Sequence, residues 1–226
     1  MTHRHLALAL ALAAASLLAA CGKPAPEAPA STAASTVPQA AATTAATPTG
    51  VSTTGAPAAP AAFDKTLTWK GITFRVTATN DSSAGTVTIV PSGLTVVNDT
   101  ITQEIDGTVV GAEVADLDVN GWPELYVFTR SAGSGSYGSV IGQAVNNGKS
   151  LSAIFLPDIA EDAKLAQGYM GHDEFAIVEN SLARRFPIYA PGDTNVAPSG
   201  KMRQVSYGLV AGEAGWLLSM RDVTEF

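Results

Sequence analysis

Apolar and polar residues alternate with a period of two through most of the chain beyond residue 63, and Val, Ile, Thr and aromatic residues are frequent there. Such alternation is typical of strands with one buried face. Gly, Asn and Asp interrupt it about every eight to twelve residues, which is the spacing of short strands joined by turns. The pattern predicts strands at residues 73–79, 86–90, 94–97, 100–105, 109–115, 124–129, 137–145, 150–155, 174–178, 202–210 and 216–222.

The connections between these segments have the composition of hairpin turns. Asn146-Asn147-Gly148 and the Gly-rich residues 212–215 supply the residues that tight turns need. Only residues 158–167 have a helical pattern. The chain therefore predicts an all-β domain, most simply an antiparallel β-sandwich or a flattened barrel of about eight to ten strands with one short helix.

The N-terminus has the pattern of an export signal. A short basic opening precedes an apolar run at residues 6–18, which is shorter than the roughly 20 residues of a membrane-spanning helix. The following Leu18-Ala19-Ala20-Cys21 resembles the bacterial lipobox, in which the Cys thiol receives a lipid. Residues 1–20 are thus predicted as a lipoprotein signal peptide, and the alternative is an ordinary secretory signal that ends in Cys.

Lipidation of Cys21 would anchor the protein, because several acyl chains at one residue exceed what stable membrane binding requires. The next residue is Gly22 rather than Asp. By resemblance to sorting in Gram-negative bacteria, this favours a periplasmic protein held on the inner face of the outer membrane. Cys21 is the only cysteine of the chain, so the mature protein is expected to have no disulfide and no Cys-based metal site or nucleophile.

Residues 21–62 are rich in Ala, Pro, Thr and Ser and contain almost no large apolar side chain. Such a segment buries too little surface to offset the entropy of ordering, and we expect a disordered tether. The folded part is then residues 63–226, which is enough chain for one domain with its own core.

Residues 63–226 contain 11 basic and 19 acidic residues, a net charge of −8. This balance disfavours nucleic acid and anionic lipid as partners and favours a cationic one. The alternative is that the charge serves only solubility. The oligomeric state, monomer or homodimer, stays open.

Few residues of the mature chain suit catalysis. His172 is its only histidine, so a Ser-His-Asp triad or a His-containing metal site would depend on it. A P-loop is absent, and the G-x-G-x-x-G run at residues 133–138 leads into a strand rather than a helix, so it does not fit dinucleotide binding. We expect a protein that is not an enzyme and has no cofactor.

Asp116, Asp118, Asn120 and Glu124 form D-x-D-x-N-G-x-x-E, which resembles the calcium loops of integrin-type repeats. Ca²⁺ takes about six to eight oxygen ligands, and alternate residues of a tight loop can direct several of them to one point. The other interpretation is an Asn-Gly turn with solvated acidic residues and no metal, and this is the one we favour. The calcium interpretation gives an alternative function, a calcium-dependent binding module of the cell envelope.

Residues 131–139, SAGSGSYGS, are harder to explain as a simple turn. Three glycines and several serines surround one aromatic residue, Tyr137, directly after an apolar strand. Glycine lets the backbone approach a partner closely, and Tyr supplies a rigid contact at low entropic cost. Ser134-Gly135-Ser136-Tyr137 and its flanks, PELYVFTRSAGSGSYGS, NNGKSLSAIFLP, GYMGHDEFAIVEN and RRFPIYAPGDTN, resemble the periplasmic inhibitors of invertebrate-type (i-type) lysozyme.

The resemblance covers most of residues 109–196 and implies a function. In that family the loop enters the substrate cleft of lysozyme, and its Ser and Tyr form hydrogen bonds around the catalytic carboxylates. Carried over, Ser134 and Tyr137 would make these bonds, with Gly135 allowing close approach and Ser136 completing the motif. The expected partner is a lysozyme, i-type first; the long tether is not part of the family pattern, and another lysozyme class such as the animal (c) type stays open.

Overall fold

The computed structural model describes residues 62–226. The predicted signal peptide, Cys21 and the tether up to residue 61 lie outside the described residues. The described chain forms twelve strands: β1 Phe63–Trp69, β2 Ile72–Ala78, β3 Ala84–Ser92, β4 Ile101–Asp106, β5 Thr108–Ala115, β6 Glu124–Arg130, β7 Gly138–Asn146, β8 Ser150–Phe155, β9 Glu174–Val178, β10 Ser181–Pro187, β11 Met202–Ala211 and β12 Trp216–Glu225. Within this part, no helix has the length and hydropathy needed to cross a bilayer.

The strands form two sheets. One has four strands in the order β1-β2-β3-β4, and the other has eight in the order β5-β6-β7-β8-β12-β11-β10-β9. All neighbouring strands are antiparallel except β8 and β12, which are parallel over two residue pairs. The predicted all-β fold is confirmed, with more strands than expected.

The eight-stranded sheet is nearly closed into a barrel. Its two edge strands, β5 and β9, approach each other, and the backbone N–H of Ile177 on β9 donates to Oε2 of Glu113 on β5 at 3.3 Å. The four-stranded sheet packs on the outside of this barrel, since its apolar residues share one buried cluster with apolar residues of β5, β6 and β7. The architecture therefore combines both expected forms, a barrel and a sandwich.

Strand β6 is buried on both faces over six of its seven residues. Leu125 and Val127 point into the layer between the two sheets, whereas Tyr126 and Phe128 point into the barrel interior. Its near-continuous apolar sequence fits this position, because a strand covered on both sides has no solvated face to keep polar. This burial on both faces fixes the position of β6, the strand that leads directly into the Gly- and Ser-rich loop.

Two strands, β1 and β10, were not predicted from the sequence. β1 is an edge strand with mostly exposed residues, so it lacks the apolar alternation of a half-buried strand. β10 contains Arg184 and Arg185, and the first of these is buried. A charged residue on the inner face breaks the expected pattern, because burial of a charge is tolerated only with a partner.

The predicted strand at residues 94–97 is wrong. This segment hydrogen-bonds instead to the β7–β8 turn, with the N–H groups of Val96 and Val97 donating to the carbonyl of Lys149. The Leu94 N–H donates to Oδ1 of Asn98 at 2.9 Å. An Asn side chain that occupies the backbone in this way competes with strand pairing.

The predicted helix at residues 158–167 is also wrong, since only a 3₁₀ turn at Ile159–Glu161 is present. The Asp158 carboxylate accepts from the N–H of Ala160, and the Asp162 carboxylate accepts from the N–H groups of Lys164 and Leu165. These local bonds restart the turn after a few residues, which prevents a continuous helix.

Both predicted turns are confirmed. Asn147 and Gly148 have φ of 50° and 68°, the left-handed conformation that a tight hairpin between twisted strands requires. The N–H of Gly212 donates to the carbonyl of Gly215 at 2.9 Å between β11 and β12. The β7–β8 turn lies at the opposite end of β7 from the Gly- and Ser-rich loop.

The double burial of β6 predicts the effect of a core substitution. Leu125→Ala should lower the free energy of unfolding by about 2–5 kcal/mol, because it leaves a cavity between the two sheets. Val110→Ala is the control, since Val110 lies on the neighbouring β5 but is 47% exposed. Chemical denaturation of both variants checks this, and equal midpoints would contradict the packing of the four-stranded sheet on β6.

Candidate functional site

The loop between β6 and β7 contains all four residues of the predicted binding motif. Ser134 is exposed, Gly135 is buried and Ser136 is half-buried. Tyr137 is 49% exposed and precedes β7, which begins at Gly138. The structure therefore keeps Tyr137 out of the strand in which the sequence pattern predicted it.

Hydrogen bonds between residues of the loop close it on itself. The Ser131 N–H donates to the Tyr137 carbonyl at 2.8 Å, and the Tyr137 N–H donates back to Oγ of Ser131 at 2.9 Å. The Ser136 N–H donates to the Gly133 carbonyl at 2.9 Å, and Ser136 has a φ of 44°. A left-handed non-glycine residue persists only where its surroundings hold it, so the loop has a defined conformation.

A second loop, residues 168–173, lies under the first. Its His172 N–H donates to the Gly135 carbonyl at 2.6 Å. A Cβ at Gly135 would meet the Tyr137 ring and come within 3.0 Å of the Met170 carbonyl oxygen. Gly135 therefore permits close packing inside the protein, between Tyr137 and the second loop.

A buried carboxylate holds the point where the loop enters β7. Oδ2 of Asp173 accepts from the Gly138 N–H at 2.9 Å and from the Tyr169 hydroxyl at 2.7 Å. Its Oδ1 accepts from Nε of Arg184 at 2.7 Å, and Nη2 of Arg184 donates to the Tyr169 hydroxyl at 2.8 Å. The Asp173 and Arg184 side chains are 0% and 6% exposed, so this network is rigid and shielded from water.

Tyr169 links the network to the exposed ring. Its ring meets the Tyr137 ring edge to face, with centroids 5.7 Å apart, and it packs in the same manner on Phe186 at 4.8 Å. Burial, and then the bond to Asp173, raise the pKa of Tyr169, so its hydroxyl remains a donor at neutral pH. The position of the Tyr137 ring is therefore set from the barrel interior.

Three hydroxyl groups of residues 134–137 form no hydrogen bond with residues 62–226: Oγ of Ser134, Oγ of Ser136 and the phenol of Tyr137. Ser134 and Tyr137 are exposed, whereas Ser136 is half-buried. A cleft of about 490 Å³ opens beside Tyr137 and is lined also by Pro157, Tyr169 and Arg184. The loop thus presents two exposed hydroxyl donors and a half-exposed aromatic ring on a fixed backbone.

Sequence reasoning missed the residues that support the loop. Tyr169, Asp173 and Arg184 act together only in the folded protein, since they come from a loop and from the unpredicted strand β10. A signal was present in the GYMGHDEF stretch, whose glycines and adjacent Tyr, His and Asp form a compact polar motif. In the described chain the His172 ring stacks on Tyr189, and its Nε2 lies 3.3 Å from Oδ1 of Asn195.

The acidic turn between β5 and β6 has the geometry of a cation site. Carboxylate oxygens of Asp116, Asp118 and Glu124 lie within 4.8 Å of one another. Both oxygens of Asp116 accept backbone N–H groups, from Asn120 and from Gly121, at 2.9 Å. The same bonds also build a metal-free turn, so the geometry fits both interpretations made from the sequence.

Glu124 distinguishes this turn from a solvated one, because the residue is only 1% exposed. Burial raises the pKa of Glu124 to about 8, and the nearby charges of Asp118 and Asp116 add to the effect. The N–H of Leu117, which donates to Oε2 of Glu124 at 2.7 Å, opposes it. In the described part of the chain no Lys, Arg or His forms an ion pair with Glu124.

The raised pKa of Glu124 predicts a pH dependence of stability. In the unfolded chain the carboxyl ionises near pH 4.5 and in the folded protein near pH 8, so the unfolded state loses its proton first and stability falls across this window. Between pH 4.5 and 8 in a chelating buffer, Glu124→Gln should lose about 1–4 kcal/mol less than the parent. Denaturation at several pH values tests this, with the exposed Glu104→Gln as control; a parent-like slope in Glu124→Gln would contradict it.

Comparison with known proteins adds no relative to this geometry: no protein-family model, no curated protein and no solved structure matches the chain.

Proposed function

We propose that the protein inhibits lysozyme, with the i-type enzyme as the first target, by inserting residues 134–137 into the substrate cleft. The observation that carries this proposal is the pair of free hydroxyls on Ser134 and Tyr137, held on an exposed loop whose backbone is fixed from the interior. The sequence resemblance to the inhibitors of i-type lysozyme points to the same four residues.

The chemistry of such a target suits this loop. Glycoside hydrolases commonly use two carboxyl groups that flank the scissile bond. Hydroxyl donors form strong, charge-assisted hydrogen bonds with a carboxylate in a dry cleft. Ser134 and Tyr137 would bind these groups in place of water and sugar, while the Tyr137 ring fills the space of a substrate residue.

The fixed conformation supports tight binding. Ordering a mobile loop at an interface costs free energy that is subtracted from the affinity. Here the loop is already closed by Ser131 and held at Gly138 by Asp173. The net charge of −8 in residues 63–226 would also attract a cationic lysozyme and raise the association rate.

The proposed location follows from the N-terminus. Lipid on Cys21 would hold the protein to a membrane, on the periplasmic side of the outer membrane by the sorting rules that Gly22 fits. Residues 21–62 would then place the inhibitory domain in the periplasm, where an incoming lysozyme meets the cell wall.

The second candidate function is a calcium-dependent binding module. The cluster of Asp116, Asp118 and Glu124, whose oxygens lie within 4.8 Å of one another, favours it. A Ca²⁺ ion there would neutralise the buried Glu124 carboxylate. Chelation separates the two candidates, since inhibition through residues 134–137 persists in excess chelator, whereas a calcium-dependent module loses its binding.

The proposed mechanism predicts a large effect of Tyr137→Ala. Removal of a central aromatic anchor should weaken binding to i-type lysozyme by about 2 kcal/mol or more. Ser134→Ala should cost about 1–3 kcal/mol, because a carboxylate oxygen is left unpaired in the dry cleft. Inhibition of cell-wall lysis and calorimetric affinity measure both, with i-type, c-type and g-type lysozymes compared in parallel.

Stability on the same samples is the control. Both variants should melt within about 2 °C of the parent, since the two side chains are exposed. Phe155→Ala, which removes an aromatic ring that is 58% exposed on β8, should inhibit like the parent. A Tyr137→Ala protein that is folded and inhibits at full strength would overturn the proposed mechanism.

A further inference from the structure

A third loop, residues 188–200, is joined to the two loops of the candidate site. Nε2 of His172 lies 3.3 Å from Oδ1 of Asn195, and the His172 and Tyr189 rings stack with centroids 6.2 Å apart. The Tyr189 hydroxyl donates to the Asn195 carbonyl at 2.9 Å. Residues 131–137, 168–173 and 188–200 therefore form one continuous surface, which we call the three-loop face.

The third loop is as well braced as the first. The Asp193 carboxylate accepts from the N–H groups of Ala190 and Ser199 at 2.7 and 2.8 Å and from the Ser199 hydroxyl at 2.9 Å. These hydrogen bonds lower the pKa of Asp193, so the carboxylate stays ionised and keeps its bonds at neutral pH. Thr194 and Ala197 add an isolated β-bridge.

Each of the three loops exposes one large apolar side chain. Tyr137 is 49% exposed, Met170 is 36% exposed and Val196 is 91% exposed. An isolated exposed apolar residue needs no explanation. Three of them on neighbouring loops that hydrogen bonds hold together have the composition of an interface core, in which aromatic residues and Met are enriched and charged residues are depleted.

We propose that Met170 and Val196 bind the same partner as Tyr137 and contact the rim of the cleft that the Tyr137 ring enters. This inference rests on the proposed function and extends it, because it assigns a partner contact to two loops outside residues 134–137. The occupant is the lysozyme itself, since the three-loop face is continuous with the inserting loop through the Gly135–His172 and His172–Asn195 contacts. The partner surface it fits is a cationic protein with apolar side chains beside a carboxylate-bearing cleft.

Single charge substitutions test this contact. Met170→Asp and Val196→Asp place a carboxylate where the complex excludes water, so each should weaken inhibition of the responsive lysozyme by about tenfold or more. The matched control is Val96→Asp. Val96 is 67% exposed and its N–H donates to the Lys149 carbonyl in the β7–β8 turn. This turn lies at the other end of β7 from Tyr137, roughly 26 Å away along the strand.

The control also removes the effect of charge alone. All three variants gain one negative charge, so any general change in attraction to a cationic lysozyme is common to them, and titrations at low and high salt show its size. All three should melt within about 2 °C of the parent, as expected for exposed positions. A variant that melts earlier is replaced by Met170→Ser or Val196→Ser, which should still weaken inhibition more than Val96→Ser.

The outcomes distinguish failure of this inference from failure of the proposed function. Weak inhibition by the Met170 and Val196 variants, with parental inhibition by Val96→Asp, supports the three-loop face. If Tyr137→Ala loses inhibition while the Met170 and Val196 variants inhibit as strongly as Val96→Asp, the proposed function stands and the inference is overturned. If the parent inhibits no lysozyme, the proposed function fails and the inference fails with it.

Discussion

The candidate site depends on the hydrogen bonds and the ion pair of one buried carboxylate, that of Asp173. It accepts the N–H of Gly138 at the start of β7, the Tyr169 hydroxyl and Nε of Arg184. Removing either charge of a buried ion pair leaves the other uncompensated, which typically costs about 3–5 kcal/mol. Because Tyr169 also contacts the Tyr137 ring, one charge at the barrel wall fixes both the backbone and the aromatic side chain of the loop.

The barrel supplies the frame for this arrangement. β6 delivers the loop, and its position is set by apolar residues on both faces, Leu125 and Val127 outward and Tyr126 and Phe128 inward. β10 carries Arg184, which reaches Asp173 and Tyr169 below the loop. A loop that carries Gly and Ser at most positions would otherwise be mobile. Its rigidity therefore comes from the strands around it and not from its own composition.

Much of the fold was predictable from local pattern. The alternation of β2, β3 and β11 and the turn at Asn147 and Gly148 are local properties, because a strand with one buried face and a tight turn each impose their own residue types. The exposed loop could also be recognised, since three glycines around one Tyr are unusual for a simple connection.

The rest depends on contacts between distant residues. β10 was missed because Arg184 is buried on its inner face, and only the pairing with Asp173, 11 residues earlier, makes that possible. The segment at residues 94–97 looks like a strand, yet its N–H groups find carbonyls in the β7–β8 turn, far away in sequence. The internal packing of Gly135 was likewise not predictable, because its close neighbours, Met170 and Tyr137, come together with it only in the folded protein.

Competition with a cleft-filling sugar tests the central claim most directly. The affinity of residues 63–226 for i-type lysozyme would be measured by calorimetry with and without a saturating N-acetylglucosamine oligosaccharide that occupies the substrate cleft. If the loop of Ser134 and Tyr137 enters that cleft, the apparent Kd rises in proportion to the oligosaccharide concentration. An apparent Kd that is unchanged at saturation would show that the domain binds elsewhere and would contradict the account.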